Sequence, residues 1–265
     1  MPIILHNAPI QCLVAVRGHP FDRTRFDAVF QSMDGISATL VDQPAAARLM
    51  NRRGMAGFDV LVLYDMPGLD FNAPAGRPTY LEPDDSLRSG FCELLEDGTG
   101  ILALHHALAG WPAWTEYAAW LGGTFLYHPG KVRGASRLDS GYAHDVTYEA
   151  QVVAEHPVTA GVPRAFAITD ELYLAEVFED ELTPLLRSSF EFKRERFWSA
   201  DAAVAGRMNS REGWDHPPGS NLIGWTRRAI NSNVVYLQPG DGPSVYDNPH
   251  YRRLVENSIR WLAKK

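Results

Sequence analysis

Cysteine is scarce in this chain. Cys12 and Cys92 are its only two among 265 residues, too few for a disulfide framework and not spaced as a C-x-x-C pair. A reducing compartment suits such a sequence, and the cytoplasm is the expected location. Clusters of positive charge are equally scarce. The longest is KRER at 193–196, and 25 basic against 32 acidic residues give a formal charge of −7. Nucleic acid and anionic membrane are therefore not expected partners. The start, MPIILHNAPIQCLVAV, has no basic n-region, and Pro, His and Asn interrupt its apolar run, so neither a signal peptide nor a membrane span is expected. The motifs G-x-x-x-x-G-K-[ST], H-E-x-x-H and G-x-S-x-G are missing, which leaves phosphate-cradling loops, zincin chemistry and hydrolase elbows without support. GTGILA at 98–103 precedes a strand instead of following one. Its glycines cannot set a helix amino terminus against a pyrophosphate, and no nucleotide cofactor is expected.

What is present is an ordinary globular balance, 45% hydrophobic and 22% charged, in a length that suits one large α/β domain over residues 1–265. Strand-like and helix-like segments alternate in the first half, as in a doubly wound sheet. QCLVAVR (11–17), ISATLVD (36–42), FDVLVLYDM (58–66) and GILALHH (100–106) read as strands, the third nearly all apolar and so central. Helices are expected over 21–33, with Phe26, Val29 and Phe30 on one face, and over 84–97, capped by Asp84 or Asp85. A third should start at Pro112 and run to about Leu121. Four prolines make 67–83 a long loop. The middle, 122–232, offers shorter strands (151–154, 184–190, 221–227) and is expected to add antiparallel strands and long loops. NVVYLQ (233–238) is a strand, and a helix capped by Asn248 closes the chain.

Polar residues gather where strands end. His19 and Asp22 follow the first strand, His105 and His106 end the fourth, Asp241 follows the last, and Asp170, Glu171 and Tyr173 follow an apolar AFAI. Carboxyl ends of parallel strands share one edge, so these groups could line one crevice. Plainer explanations exist for each. Asp241 between glycines suits a turn; Asp170 suits a helix cap with Glu171 in the first turn. His128 and His156 each precede proline and suit extended backbone with local hydrogen bonds. Side chains alternate along a strand, so His105 is expected to face the crevice and His106 to support it. Cys12 in a strand and Cys92 within a helix read as packing.

The succession GHPFD, GILALHHALAGWPAW with LGGTFLYHPG, EHPVTAGVP followed by TDELYL, and VVYLQPGDGPSVYDNPHYRRLVENSIRWL resembles the ThuA-like (trehalose utilisation) family over about residues 11–263. That family is similar in fold to class I glutamine amidotransferases. The resemblance implies a flavodoxin-like, doubly wound, mostly parallel sheet. Amidotransferase relatives keep a nucleophilic cysteine at the turn after the fourth strand, where this chain has His105 and His106, so glutamine hydrolysis through a thioester is not expected. The resemblance further points to His19, His105, His156, Asp170, Glu171 and Tyr173 as pocket residues. Several relatives carry Gly-His after the last strand where this chain has Gly240-Asp241; Asp241 then either substitutes as an oxygen ligand or marks a lost role.

The implied setting is disaccharide or keto-sugar catabolism, and three readings follow. In the first, the chain is an enzyme with His105 as base or ligand and Glu171 or Asp170 orienting it or binding hydroxyls; His19, Tyr173, His156, Asp241 and Trp111 would contact the sugar. In the second, His19, His105 and a carboxylate hold a divalent metal that activates water. In the third, the scaffold binds sugar or assembles without catalysis. The 67–83 loop and an exposed tail helix suggest a homo-oligomer.

Overall fold

A computed structural model describes residues 8–73 and 78–264. Residues 1–7, which open the stretch read for a signal peptide, and 74–77 in the proline-rich loop lie outside the described residues. Nine strands follow one another across a single sheet: β1 Ile10–Arg17, β2 Ile36–Asp42, β3 Val60–Asp65, β4 Gly100–Leu104, β5 Gly141–Val152, β6 Ala165–Leu174, β7 Thr183–Ser188, β8 Leu222–Ala229 and β9 Ser232–Leu237. Their spatial order is β6-β5-β7-β8-β9-β4-β3-β1-β2, and a short strand, Trp198–Ser199, pairs with β5. The run β2-β1-β3-β4-β9 is parallel, which is the flavodoxin-like order with β9 as its fifth strand. From β8 to β6 each strand is antiparallel to its neighbour, so the harder-to-read middle of the sequence extends the sheet at one edge.

The main helices are α1 Arg23–Gln31, α2 Asp85–Glu96, α3 Thr115–Leu121 and α4 Pro249–Ala263. Every residue of β3 is buried because both faces of the strand are covered. Val60, Val62 and Tyr64 belong to the core that includes Phe26 and Phe30 of α1 and Leu254 and Ile259 of α4. Leu61 and Leu63 belong to the opposite core, with Phe91 and Leu94 of α2 and Tyr117 and Leu121 of α3. Each such side chain removed from water contributes about 1.5–3 kcal/mol. Helix starts follow the local chemistry. Asp22 accepts from the Arg25 amide at 3.0 Å, Asp84 from Leu87 at 2.7 Å, and Asn248 from His250 at 2.9 Å.

Several expectations need correction. TDELYL is not a helix start but the second half of β6, so Asp170 caps nothing. α3 begins at Thr115, not Pro112: Trp111 sits at φ +47°, and its amide donates to the Pro67 carbonyl at 2.7 Å. The 67–83 loop contains a small hairpin of Leu69–Asp70 and Thr79–Tyr80. The tail helix is not an exposed apolar face; Tyr251, Leu254, Val255, Ile259 and Leu262 are buried in the core.

Candidate functional site

The carboxyl ends of β1, β3, β4 and β9 meet β6 at one place. His105 opens a tight 3-10 turn, His105–Ala109, directly after β4, and its φ of +32° lies in a region side chains rarely occupy. Backbone held this way costs about 1–3 kcal/mol and persists only where its surroundings impose it. Since neither histidine continues the strand, alternation does not separate them. Both are buried.

His105 Nδ1 donates to the Gln238 carbonyl, and Nε2 lies 3.0 Å from Glu171 Oε2. A carbonyl can only accept, and so can a carboxylate, so both ring nitrogens carry protons. Burial works against that charge, but the Glu171 hydrogen bond and the Asp241, Asp170 and Glu171 carboxylates outweigh it and raise the His105 pKa. Glu171 Oε1 lies 3.1 Å from Nδ1 of His144. Burial favours a neutral Glu171, yet the His105 hydrogen bond and the charges of His105, His144 and His19 hold it below the usual range. His144 reaches this position through a bulge: the β5–β6 register shifts between Ala143 and Val146, and Asp145 adopts φ +50°.

Asp170 points to the other face of β6. Its carboxylate accepts the Gly240 amide at 2.7 Å and the Asp241 amide at 3.1 Å, clamping the turn after β9. Burial pushes its carboxyl up to about 7, opposed by His105 and the Gly240 N–H. From the opposite side the Tyr64 hydroxyl lies 2.8 Å from the Gly240 carbonyl and 2.6 Å from the Tyr246 hydroxyl. His106 lies between aromatic neighbours, 4.8 Å from the Tyr64 ring and 4.3 Å from that of His19. Burial, then the nearby His105 and His19, push its pKa far down, so it stays neutral.

A cavity of about 150 Å³ opens beside these groups, lined by His19, Glu171 and His144 together with Phe125, Tyr127, Tyr142 and Tyr173. Neither His105 nor His106 is among its lining residues; Glu171 presents its carboxylate there and His105 stands behind it. The structure therefore brings together His19, His105, Asp170, Glu171, Tyr173 and Asp241. It does not bring in His156, whose Nδ1 accepts the Val158 amide at 3.1 Å, with its ring 4.8 Å from that of Trp261 in a separate surface groove. Trp111 does not line the cavity and faces Trp114, 6.4 Å away. His128 holds Asp201 at 2.6 Å and the Pro78 carbonyl at 2.8 Å. Sequence reasoning missed His144 and Gln238. The only signal for the first is a polar His-Asp pair that interrupts the apolar start of β5.

No cysteine takes part. Cys12 is buried in β1, where burial and then Asp59 push its thiol up to about 12, and Cys92 lies on α2. As for metals, donor atoms of His19, His106 and Asp241 cluster within 4.8 Å of one another, as do those of His105, Glu171 and Asp241. The expected pairing of His19 with His105 is not the one found. His106 takes that place.

A sequence profile described as "ThuA: Trehalose utilisation" matches residues 21–262. The chain belongs to the ThuA family. Membership brings a carbohydrate-related role at family level. No curated protein matches the chain. Among solved structures, this ThuA-family chain is similar to a ThuA-like protein from Parabacteroides merdae (13% identity, TM-score 0.66, 96% of this chain and 90% of that one). It is also similar to a ThuA-like protein from Bacteroides uniformis (17%, 0.58, 97% and 92%) and to PurLQS from Thermotoga maritima (12%, 0.53, 96% and 99%). At these identities the likeness shows the fold. Among the described residues no helix is long and apolar enough to cross a membrane.

Proposed function

We propose that this ThuA-family chain is an enzyme of carbohydrate catabolism that moves a proton on a disaccharide or keto-sugar held in the cavity, with Glu171 as the proton-accepting carboxylate. One observation carries this: Glu171 lines the cavity while hydrogen-bonded to His105 at 3.0 Å and within ion-pair distance of His144 at 3.1 Å. His105 fixes the carboxylate from behind and keeps it ionised. His144, whose side chain is 44% exposed, offers the accepted proton a way to water. The roles first expected are thereby exchanged: the carboxylate acts and the histidine orients. Tyr127, Tyr142, Tyr173 and Phe125 supply rings against which a sugar face can pack. A carbon next to a ketone is the most acidic C–H a sugar can offer a carboxylate, which favours keto-sugars within this class. A thioester route to glutamine hydrolysis has no nucleophile here, because His105 occupies the strained turn.

The test is a screen of disaccharides and their 3-keto derivatives, following consumption and solvent deuterium uptake by NMR. Glu171→Gln should cut both by about 10²–10⁴ while leaving sugar binding intact. A second reading, a non-catalytic sugar binder, is favoured by the burial of both histidines; it predicts binding without turnover or exchange in the natural chain. The proposal includes a cytoplasmic location, and also a homo-oligomer, the latter supported by Phe71 (64% exposed), between the paired strands Leu69–Asp70 and Thr79–Tyr80, and Leu81 (45%) just after them. Light scattering of a Phe71→Asp variant tests the latter.

A further inference from the structure

Three donor groups beside Glu171 have no part in the proton transfer. His106 is 1% exposed, yet its Nε2 has no hydrogen-bond partner among the described residues. Asp241 Oδ1 is also without a hydrogen-bond partner, 3.8 Å from His106 Nε2 and 3.7 Å from His105 Nε2, too far for a bond to either. Two buried, unpaired polar atoms facing each other are costly unless something between them satisfies both. His19 is the third group. Its Nδ1 lies 2.9 Å from the Pro20 carbonyl, which can only accept, so in the neutral ring the proton sits on Nδ1 and Nε2 keeps its lone pair. His106 Nδ1 has the Tyr173 hydroxyl at 3.4 Å, and with that hydroxyl as acceptor the ring proton sits on Nδ1 and Nε2 is the ligating atom. Metal-binding histidines are held in this way, one nitrogen engaged by an outer partner and the other free.

We propose that His19, His106 and Asp241 form a binding site for a divalent transition-metal ion. Two imidazoles and one carboxylate suit zinc, manganese, cobalt or iron and leave coordination positions open. Ligand atoms about 2.1 Å from such an ion stand roughly 3.0–3.5 Å apart, so the 3.8 Å gap closes by a few tenths of an ångström on binding. The supports are already in place. Asp170 holds the Asp241 amide, Tyr64 and Tyr246 reach the Asp241 carbonyl at 3.2 and 3.0 Å, and Tyr64 stacks on His106. His105 is not a ligand, since hydrogen bonds occupy both its nitrogens. Because His19 also lines the cavity, an ion held there would stand beside the space next to Glu171, where neighbouring sugar oxygens could chelate it. That last step, the substrate contact, rests on the carbohydrate reading; metal binding itself does not.

The full chain, stripped with a chelator, should take up about one equivalent of Zn²⁺ or Co²⁺ by calorimetry and elemental analysis, with a Co²⁺ visible spectrum typical of mixed nitrogen and oxygen ligation. His19→Ala and Asp241→Asn, both partly exposed sites, should weaken binding by about a hundredfold or more while the circular dichroism stays unchanged. His156→Ala, outside the cluster, should bind as the natural chain does. Absence of stoichiometric uptake, or uptake untouched by either variant, overturns the site. Metal bound through these residues with no sugar bound or consumed leaves the site standing and fails the carbohydrate reading. Sugar bound and consumed equally well by the stripped chain removes the substrate contact alone.

Discussion

His105 Nε2 and Glu171 Oε2 lie 3.0 Å apart, and the other nitrogen of the same ring is held by the Gln238 carbonyl. The ring thus joins the turn after β4 to the end of β9 and to the middle of β6, three segments distant in sequence. A carboxylate fixed by such a ring cannot turn away from the cavity. This is the preorganisation a proton-accepting group needs.

Glu171→Gln keeps the shape of the side chain and removes its charge. Turnover of a keto-sugar should fall by about 10²–10⁴, the usual share of a positioned acid–base group. Sugar affinity should change little, and the melting temperature should move less than it does in Glu171→Ala. Retained turnover with lost affinity would instead make Glu171 a binding contact.

Asp170 is adjacent in sequence but different in task. Its two acceptor oxygens hold two backbone amides, and asparagine offers an oxygen to only one of them. Asp170→Asn should cost about 1–3 kcal/mol of stability and loosen the Asp241 turn. The signature of a positioning role is a raised KM with kcat falling far less than in Glu171→Gln. Equal losses of kcat in both variants would place Asp170 in the chemistry.

Gly240 lies in the turn that Asp170 clamps, beside His105. It sits at φ +141°, and a Cβ there would lie 2.9 Å from the Tyr251 hydroxyl and 3.5 Å from the His105 Cβ. Gly240→Ala should destabilise by about 1–3 kcal/mol through backbone strain and crowding. Thermal melting checks this, and an unchanged melting temperature would show that the turn relaxes freely.

The parallel half of the fold was legible because its strands are short apolar runs closed by turn residues, and because polar groups at their ends must share one edge. His19, His105 and Asp241 were found on that basis. Glu171 was singled out by the same strand-end argument and by the family motifs, but its task was not, since position on β6 depends on antiparallel pairing that no local pattern encodes. His144 depends on a bulge, and the extra residue of a bulge looks like any other in sequence. Applying strand alternation to His105 and His106 failed for a definite reason: the strand ends at Leu104, and both histidines lie in a 3-10 turn. For His156 the plainer reading describes the structure, a histidine before proline bonding its own turn.

Asp65 gives the pH prediction, away from the site's histidines. It ends β3 fully buried, with Oδ2 accepting from Gln43 Nε2 at 2.6 Å and Oδ1 without a hydrogen-bond partner among the described residues. Burial raises its pKa from 3.8 to about 6, against the pull of the Gln43 hydrogen bond. The folded chain therefore holds this proton more tightly than the unfolded one. The resulting stabilisation is fully present below about pH 4 and is lost as pH rises through about 6, a change of about 3 kcal/mol. Asp65→Asn removes that dependence while keeping an acceptor for Gln43. Measured by urea unfolding, the variant should gain on the natural chain by about 2–2.5 kcal/mol between pH 4 and pH 8, with most of the change between 4 and 6. A stability difference that stays constant across that range would mean Asp65 ionises in the folded chain as readily as in water.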